Sequence, residues 1–244
     1  MGTNRKPWHP KQPEGYNAPT SNKKGYIEGN KAVAGFGSAD FYVALMPARE
    51  AREVVMKHHY SHRIVNNSFL HLGVWYKQNF CGVLQFGYAL NVAAVGNIVE
   101  GSKQGDYLEL NRMWLSDVAP RNSESMAISY AFKFIKRAIP SIAWVQSFAD
   151  ERCGCLGVVY QAANFLYAGS HKTNFYYLDG EYYHPMLLTA HKKCGQRGRV
   201  LKDNIDRALK LNYRQYRYIY FVKKSWRKKL KLKVQQYPKP ESAR

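Results

Sequence analysis

Cysteine is scarce in this chain: Cys81, Cys153, Cys155 and Cys194 are the only four among 244 residues. They are too few for the disulfide framework of a secreted domain, and as free thiols they suit a reducing compartment. No run of 18 apolar residues occurs, and the N-terminus has no short apolar core of the signal-peptide kind. A soluble, intracellular protein with no membrane partner is expected. Recognisable cofactor loops are missing too. There is no Walker loop, G-x-G-x-x-G, H-E-x-x-H or G-x-S-x-G, which takes most of the weight from phosphate-cofactor and serine-hydrolase readings.

Acidic residues are also few, 17 against 37 basic, which leaves a net charge of +20. From Lys192 to Arg244 the count is 18 basic against 3 acidic, a surplus of 15 in one region. A concentrated surplus calls for a polyanionic partner, because each neutralised phosphate releases condensed counterions. Basic residues are interleaved with tyrosines there, which favours nucleic acid over a membrane surface. At 45% hydrophobic residues the chain is long enough for one full core with extensions.

The first 38 residues, rich in Gly, Pro, Asn and Lys, read as a basic flexible arm. Asp40 to Met46 is strand-like, and Pro47 clears the way for a helix over Ala48 to Tyr60. That helix ends in His58-His59-Tyr60-Ser61-His62. The spacing suits either a metal site or a polar helix end with its cations at the negative pole. Alternation through Phe69 to Lys77 and Phe80 to Ala89, around Gln78-Asn79, predicts a hairpin. Tyr107 to Leu115 completes the meander and carries Arg112 among apolar neighbours, either as the partner of a buried acid or as an anion clamp.

A helix over about Glu124 to Ala138 follows Pro120-Arg121-Asn122-Ser123. The stretch from Val145 to Tyr167 then reads as strand, turn and helix, breaking at Asp150, with Tyr160 two helical turns onward. A carboxylate at such a break lies at the sheet's ligand-binding edge, or it caps the helix. Tyr167 to Ser170 and Phe175 to Leu178 read as separate strands, Asp179-Gly180 as a hairpin turn, and Tyr216 to Val222 as a last strand. Lys223 to Arg244 reads as a basic tail, helical at its start. Cys153, Cys155, His191 and Cys194 assemble into a zinc site on paper, though their spacing matches no familiar finger.

This order of elements resembles the GNAT acyltransferase fold, an α/β (α+β) arrangement with a mixed central sheet flanked by helices. The resemblance places a catalytic domain at 39–222, with Arg112 and Asp150 on the two strands that part. The glycine-rich pyrophosphate loop of acetyl-CoA users is replaced here by Val118-Ala119-Pro120-Arg121-Asn122-Ser123. Several blocks, E-L-N-R-M-W from Glu109, P-R-N-S-E-S from Pro120, S-F-A-D from Ser147, V-Y-Q-A-A-N-F from Val159 and R-Y-I-Y-F-V-K-K-S-W-R from Arg217, resemble the Mom DNA-modification family of bacteriophages. That resemblance runs from about Asp40 to Leu230.

The family resemblance implies a transferase that places a carbamoylmethyl (acetamido) group on adenine N6 in double-stranded DNA, in the host cell cytoplasm, shielding phage DNA from restriction. Carried over by position, it implies a site of Tyr60, Arg112, Asp150 and Tyr160, with His59 as a metal ligand and iron as the candidate cofactor. The donor of the group is not implied. Two other readings stand beside it: a GNAT-type acyltransferase acting on an amine, and a non-catalytic basic DNA-binding protein.

Overall fold

Between Phe41 and Leu115 alternate residues are apolar on both sides of each strand, the pattern of a sheet covered on both faces. The computed structural model describes residues 10, 15–89, 91–189 and 195–239. It shows a mixed α/β fold built on one ten-stranded sheet. In chain order the strands are β1 (Gly25–Glu28), β2 (Val33–Gly37), β3 (Phe41–Leu45), β4 (Ser68–Tyr76), β5 (Asn79–Gly87), β6 (Tyr107–Leu115), β7 (Trp144–Asp150), β8 (Leu166–Leu178), β9 (Glu181–Tyr183) and β10 (Leu209–Phe221). Their spatial order is β1-β2-β3-β4-β5-β6-β7-β10-β8-β9. Every pairing is antiparallel except β6 with β7.

Helices cover the two faces. In α1 (Ala48–His58), Ala51, Val54 and Val55 are fully buried against Tyr42, Ala44, Trp75 and Val83. In α2 (Ser123–Ala138), Ala127, Ile128, Ala131 and Ile135 are buried against Val43, Leu72, Leu84, Leu108 and Val145. Tyr42 and Val43 are neighbours on β3, so successive side chains send the two helices to opposite faces. Shorter helices follow: α3 (Val158–Ala162), α4 (Met186–Thr189) and α5 (Gln196–Asp203).

Five expectations need correction. Residues 25–37, read as part of a flexible arm, form β1 and β2, because Ile27 and Ala34 bury themselves beside α1. The turn between β4 and β5 is Lys77-Gln78, both in the left-handed region (φ 46° and 67°), and Asn79 pairs with Tyr76. Tyr160 lies in the first turn of the five-residue α3 and not two turns along a helix. The segments 167–170 and 175–178 belong to the single strand β8, which antiparallel pairing to β10 carries through the polar residues between them.

The segment after Lys223, read as a basic tail separate from the catalytic domain, is docked on the sheet. It makes a 3-10 turn over Lys224–Lys229, and Trp226, Leu230 and Leu232 pack on Trp144, Ile219 and Phe221. Backbone bonds from Lys231 to Ile98 (2.9 Å) and Gln235 to Tyr167 (2.9 Å) then stitch it to the sheet.

Candidate active site

Two strands part at the middle of the sheet. Parallel pairing of β6 with β7 runs through Tyr107 to Trp144, Leu108 to Val145 and Glu109 to Gln146, and stops. There β6 carries a bulge against β5, since Gln85 pairs with Arg112 and Phe86 with Leu110, which leaves Asn111 as the extra residue. A bulge bends and twists its strand, so β6 swings away while β10 holds β7 straight as far as Asp150. Ser147 Oγ still donates across the opening to the Leu110 carbonyl at 3.1 Å.

All five residues expected in the site converge around this opening. Arg112, half-buried, donates from Nε to the Arg63 carbonyl (3.2 Å) and from Nη1 to the Asn111 carbonyl (2.7 Å). It forms no ion pair among the described residues. Burial lowers its pKa, opposed by Tyr60, Glu109 and Tyr160. A cation held by two carbonyls and by no carboxylate retains donors for an anion or a carbonyl group.

Asp150 is 8% exposed and caps the short 3-10 turn Glu151–Cys153, accepting from the Arg152 amide at 3.0 Å. Its two oxygens also accept from the Arg152 guanidinium, from Nε at 2.9 and 3.1 Å and from Nη2. Capping is therefore part of what Asp150 does, but on this turn and not on α3.

Tyr160 is carried by α3, which starts at Gly157 in the left-handed region (φ 77°). A Cβ at Gly157 would lie 2.4 Å from Tyr218 Cε2, so only glycine allows this close approach. Burial raises the pKa of Tyr160, and its hydrogen bond to Ser147 lowers it in part. Tyr60 stands just past the end of α1 with its ring tilted on His59 at 4.2 Å. The residue is 60% exposed, yet its hydroxyl end is crowded: loss of water there, then Cys153 and Asp150, raise its pKa well above the ordinary tyrosine range.

His59 is 5% exposed, and its Nδ1 accepts from the Ser61 amide at 3.1 Å. Burial first, then Arg112 and His62, lowers its pKa to about 4, so the ring is neutral with its proton on Nε2. The other histidines turn elsewhere. His58 stacks on Trp114 at 4.4 Å, and His62 Nδ1 faces the Met56 carbonyl at 2.9 Å.

Among the described residues the donors do not make up a set for an iron ion. Among the described residues no three His, Cys, Asp or Glu side chains group together, His59 Nδ1 is engaged, and both Asp150 oxygens are taken by Arg152. Of the paper zinc set, Cys153 and Cys155 are exposed free thiols with raised pKa, while His191 and Cys194 lie outside the described residues.

Two residues of the site escaped the sequence reading. Glu109, three before Arg112, accepts from Asn111 Nδ2 (3.1 Å) and Gln146 Nε2 (2.8 Å), and Gln146 in turn accepts from Arg217 Nη1 (2.9 Å). Burial raises its pKa. A charge in an apolar strand was the signal that picked out Arg112, and it marked Glu109 equally. Arg152 had no such signal, because an arginine in a turn reads as solvated.

A split mixed sheet with an acid, two phenols and an unpaired arginine at the opening is the apparatus of a group-transferring enzyme, and a transferase is the class this chain falls in. Residues 40–239 match the model of the Mom protein family. Methylcarbamoylase mom of Escherichia phage Mu is 51% identical over 216 residues, 87% of this chain and 90% of its own length. The chain belongs to the Mom protein family. Solved structures superpose more loosely. The ribosomal-protein-S5-alanine acetyltransferase of Vibrio fischeri aligns at TM-score 0.46 and 11% identity, over 79% of this chain and 98% of that one. Arabidopsis thaliana NAA60 with acetyl-CoA aligns at 0.47 and 10%, over 74% and 99%.

Proposed function

We propose that this protein transfers a carbamoylmethyl group to N6 of adenine in double-stranded DNA, within the host cell cytoplasm. The observation that carries this reading is the gathering of Arg112, Asp150, Tyr60 and Tyr160 at the parting of β6 and β7, in a chain half identical to a methylcarbamoylase. The N6 lone pair is delocalised into the purine ring, so the amine attacks only as its proton is taken up. Asp150 is the acceptor of that proton. The new N–C bond forms from the nitrogen pair while the donor's leaving group departs with its own. Arg112 holds the carbonyl or anionic end of the donor, and the Tyr60 and Tyr160 hydroxyls, both protonated at neutral pH, orient the reacting groups.

N6 lies inside the duplex stack, so the base is extruded to reach Asp150. The basic C-terminal region supplies phosphate contacts: Lys224, Arg227 and Lys228 are exposed on the turn that packs against the sheet. The test is mass analysis of nucleosides from DNA of cells expressing the protein. An added carbamoylmethyl mass on deoxyadenosine is expected, and unmodified deoxyadenosine overturns the proposal. An amine acyltransferase or a non-catalytic DNA-binding protein would leave no such mass.

A further inference from the structure

We propose that Tyr182 and Tyr213, on a leaf of sheet that projects beyond Asp150, form the platform on which the extruded adenine stacks. This rests on the adenine-transfer reading and names its base-binding residues. The leaf exists because two strands outrun their neighbour. β7 ends at Asp150, opposite Gln215, whereas β10 and β8 stay paired as far as Leu209 and Tyr177. Six residues of β10, Leu209–Arg214, therefore stand clear of β7.

Residues directly opposite in a sheet share a face, and so do alternate residues along a strand. Asp150, Gln215 and Tyr213 thus lie on one face, with Tyr213 about 7 Å further along. Phe175 and Tyr177 of β8 and Tyr182 of β9 continue that face. The rings form a contiguous wall, with centroids 6.2 Å apart for Phe175 and Tyr213, 5.9 Å for Tyr182 and Tyr213, and 5.1 Å for Tyr177 and Tyr182. The Tyr182 and Tyr213 hydroxyls are 3.2 Å apart, which fixes the two rings relative to each other. Both rings are half-buried and keep part of their surface open, while Phe175 beside them is buried.

Charge identifies the occupant. The Arg152 guanidinium lies 3.8 Å over Phe175 and 5.3 Å over Tyr182. Arg63 Nη1 and Arg197 Nη2 donate to the Tyr182 carbonyl at 2.6 and 3.2 Å, and both arginines share Glu181. Among the described residues these three guanidiniums meet two carboxylates, Glu181 and Asp150, beside the half-buried rings. An aromatic wall alone suits any apolar group, and an arginine cluster alone suits any phosphate. Their juxtaposition fits a nucleotide, with its base on the rings and its phosphate on the arginines.

The experiment uses the full chain and a DNA duplex bearing one 2-aminopurine opposite an abasic site, so that pairing does not oppose extrusion. Anisotropy reads binding, and 2-aminopurine emission reads stacking. The parental protein should quench the emission. Tyr182→Ala and Tyr213→Ala should bind within about twofold, since phosphate contacts supply most of the affinity. Their complexes should emit about fivefold more strongly than the parental complex, and Tyr182→Phe and Tyr213→Phe should quench as the parent does. Tyr213→Leu, which keeps apolar bulk without a π face, replaces Tyr213→Ala if that variant does not fold. Quenching by the alanine or leucine variants overturns the platform, and so do phenylalanine variants that fail as alanine does. If the parental protein leaves emission at the free-duplex value, extrusion falls together with the platform, while the mass increment on deoxyadenosine continues to test adenine transfer separately.

Discussion

Arg152 grips both carboxylate oxygens of Asp150 while its guanidinium lies 3.8 Å from the centre of the Phe175 ring. A carboxylate so engaged is fixed in direction, but its lone pairs are occupied. On the proposed reading, taking a proton from the amine requires Arg152 to give way, and a DNA phosphate arriving at the arginine would compete for it.

Replacing Asp150 with Asn should lower modification of adenine by about 100-fold or more, because an amide cannot accept the proton. Stability should fall by about 1–3 kcal/mol, the loss expected when a mostly buried hydrogen-bonded charge is left without its counter-ion. The unfolding midpoint and the modified fraction of plasmid DNA are read on the same variant. Parental modification by Asp150→Asn would remove Asp150 from the proton-accepting role.

Gly157→Ala should destabilise the protein by about 2–4 kcal/mol, combining left-handed backbone strain with a methyl driven into the Tyr218 ring. Denaturant titration checks this. Gly157 sets the start of α3, so modification should drop even at temperatures where the variant is fully folded. A variant with parental stability and activity would show that α3 tolerates a shift of Tyr160.

Acidification should weaken the fold through His59. Its folded pKa, about 4, lies below the ordinary 6.5, so as pH falls the unfolded chain takes up the proton first. Stability from this residue is complete above about pH 6.5 and is lost between there and about pH 4, by at most about 3 kcal/mol. His59→Asn, which keeps an acceptor near the Ser61 amide, should flatten that part of the stability profile. Equal acid sensitivity in parent and variant would place the effect in other histidines, of which His171, buried His71 and half-buried His184 also have lowered pKa.

Deleting everything from Lys223 should cost the fold as well as DNA affinity, because Trp226, Leu230 and Leu232 leave the core with it. Changing Lys224, Arg227 and Lys228 to Gln separates the two effects. The midpoint should hold, while the slope of log affinity against log salt should become shallower by up to about 0.9 per lost phosphate contact. An unchanged slope would move those contacts elsewhere.

Calorimetry with acetyl-CoA should show no micromolar binding. α2 opens on Asn122 without a side-chain cap, behind Val118-Ala119-Pro120-Arg121, and no glycine-rich loop is there to wrap a pyrophosphate. Tight binding that raises the unfolding midpoint would favour the acyltransferase reading.

Local pattern made the middle of the molecule legible. α1 and α2 begin and end within two residues of the periodicity, and β7 ends at Asp150 as the break in apolar residues required. What escaped depends on distant partners. β8 runs unbroken through Ser170 to Asn174 only because β10 pairs with it, and β1 and β2 exist because the sheet edge at β3 offers them hydrogen bonds. Arg112 and Asp150 stood out locally, whereas Arg152 gains its meaning from Phe175, which is 23 positions away in sequence.

The sheet's outermost strands bear on what a second copy of this basic, tyrosine-rich chain would meet at either margin. Among the described residues β1 is four residues long and β9 three, and each carries a glutamate tied to arginine, Glu28 to Arg137 and Glu181 to Arg63 and Arg197. Short, charged borders give a second copy little backbone to pair with. The long aromatic strands β8 and β10 lie further in, but β9 covers only Tyr176–Leu178 of β8, and Leu209–Arg214 of β10 stand clear of β7. Glu181 is the charge that guards this end of the sheet, so a variant that neutralised it would leave the leaf's border uncharged, and fibrous aggregation would be its signature.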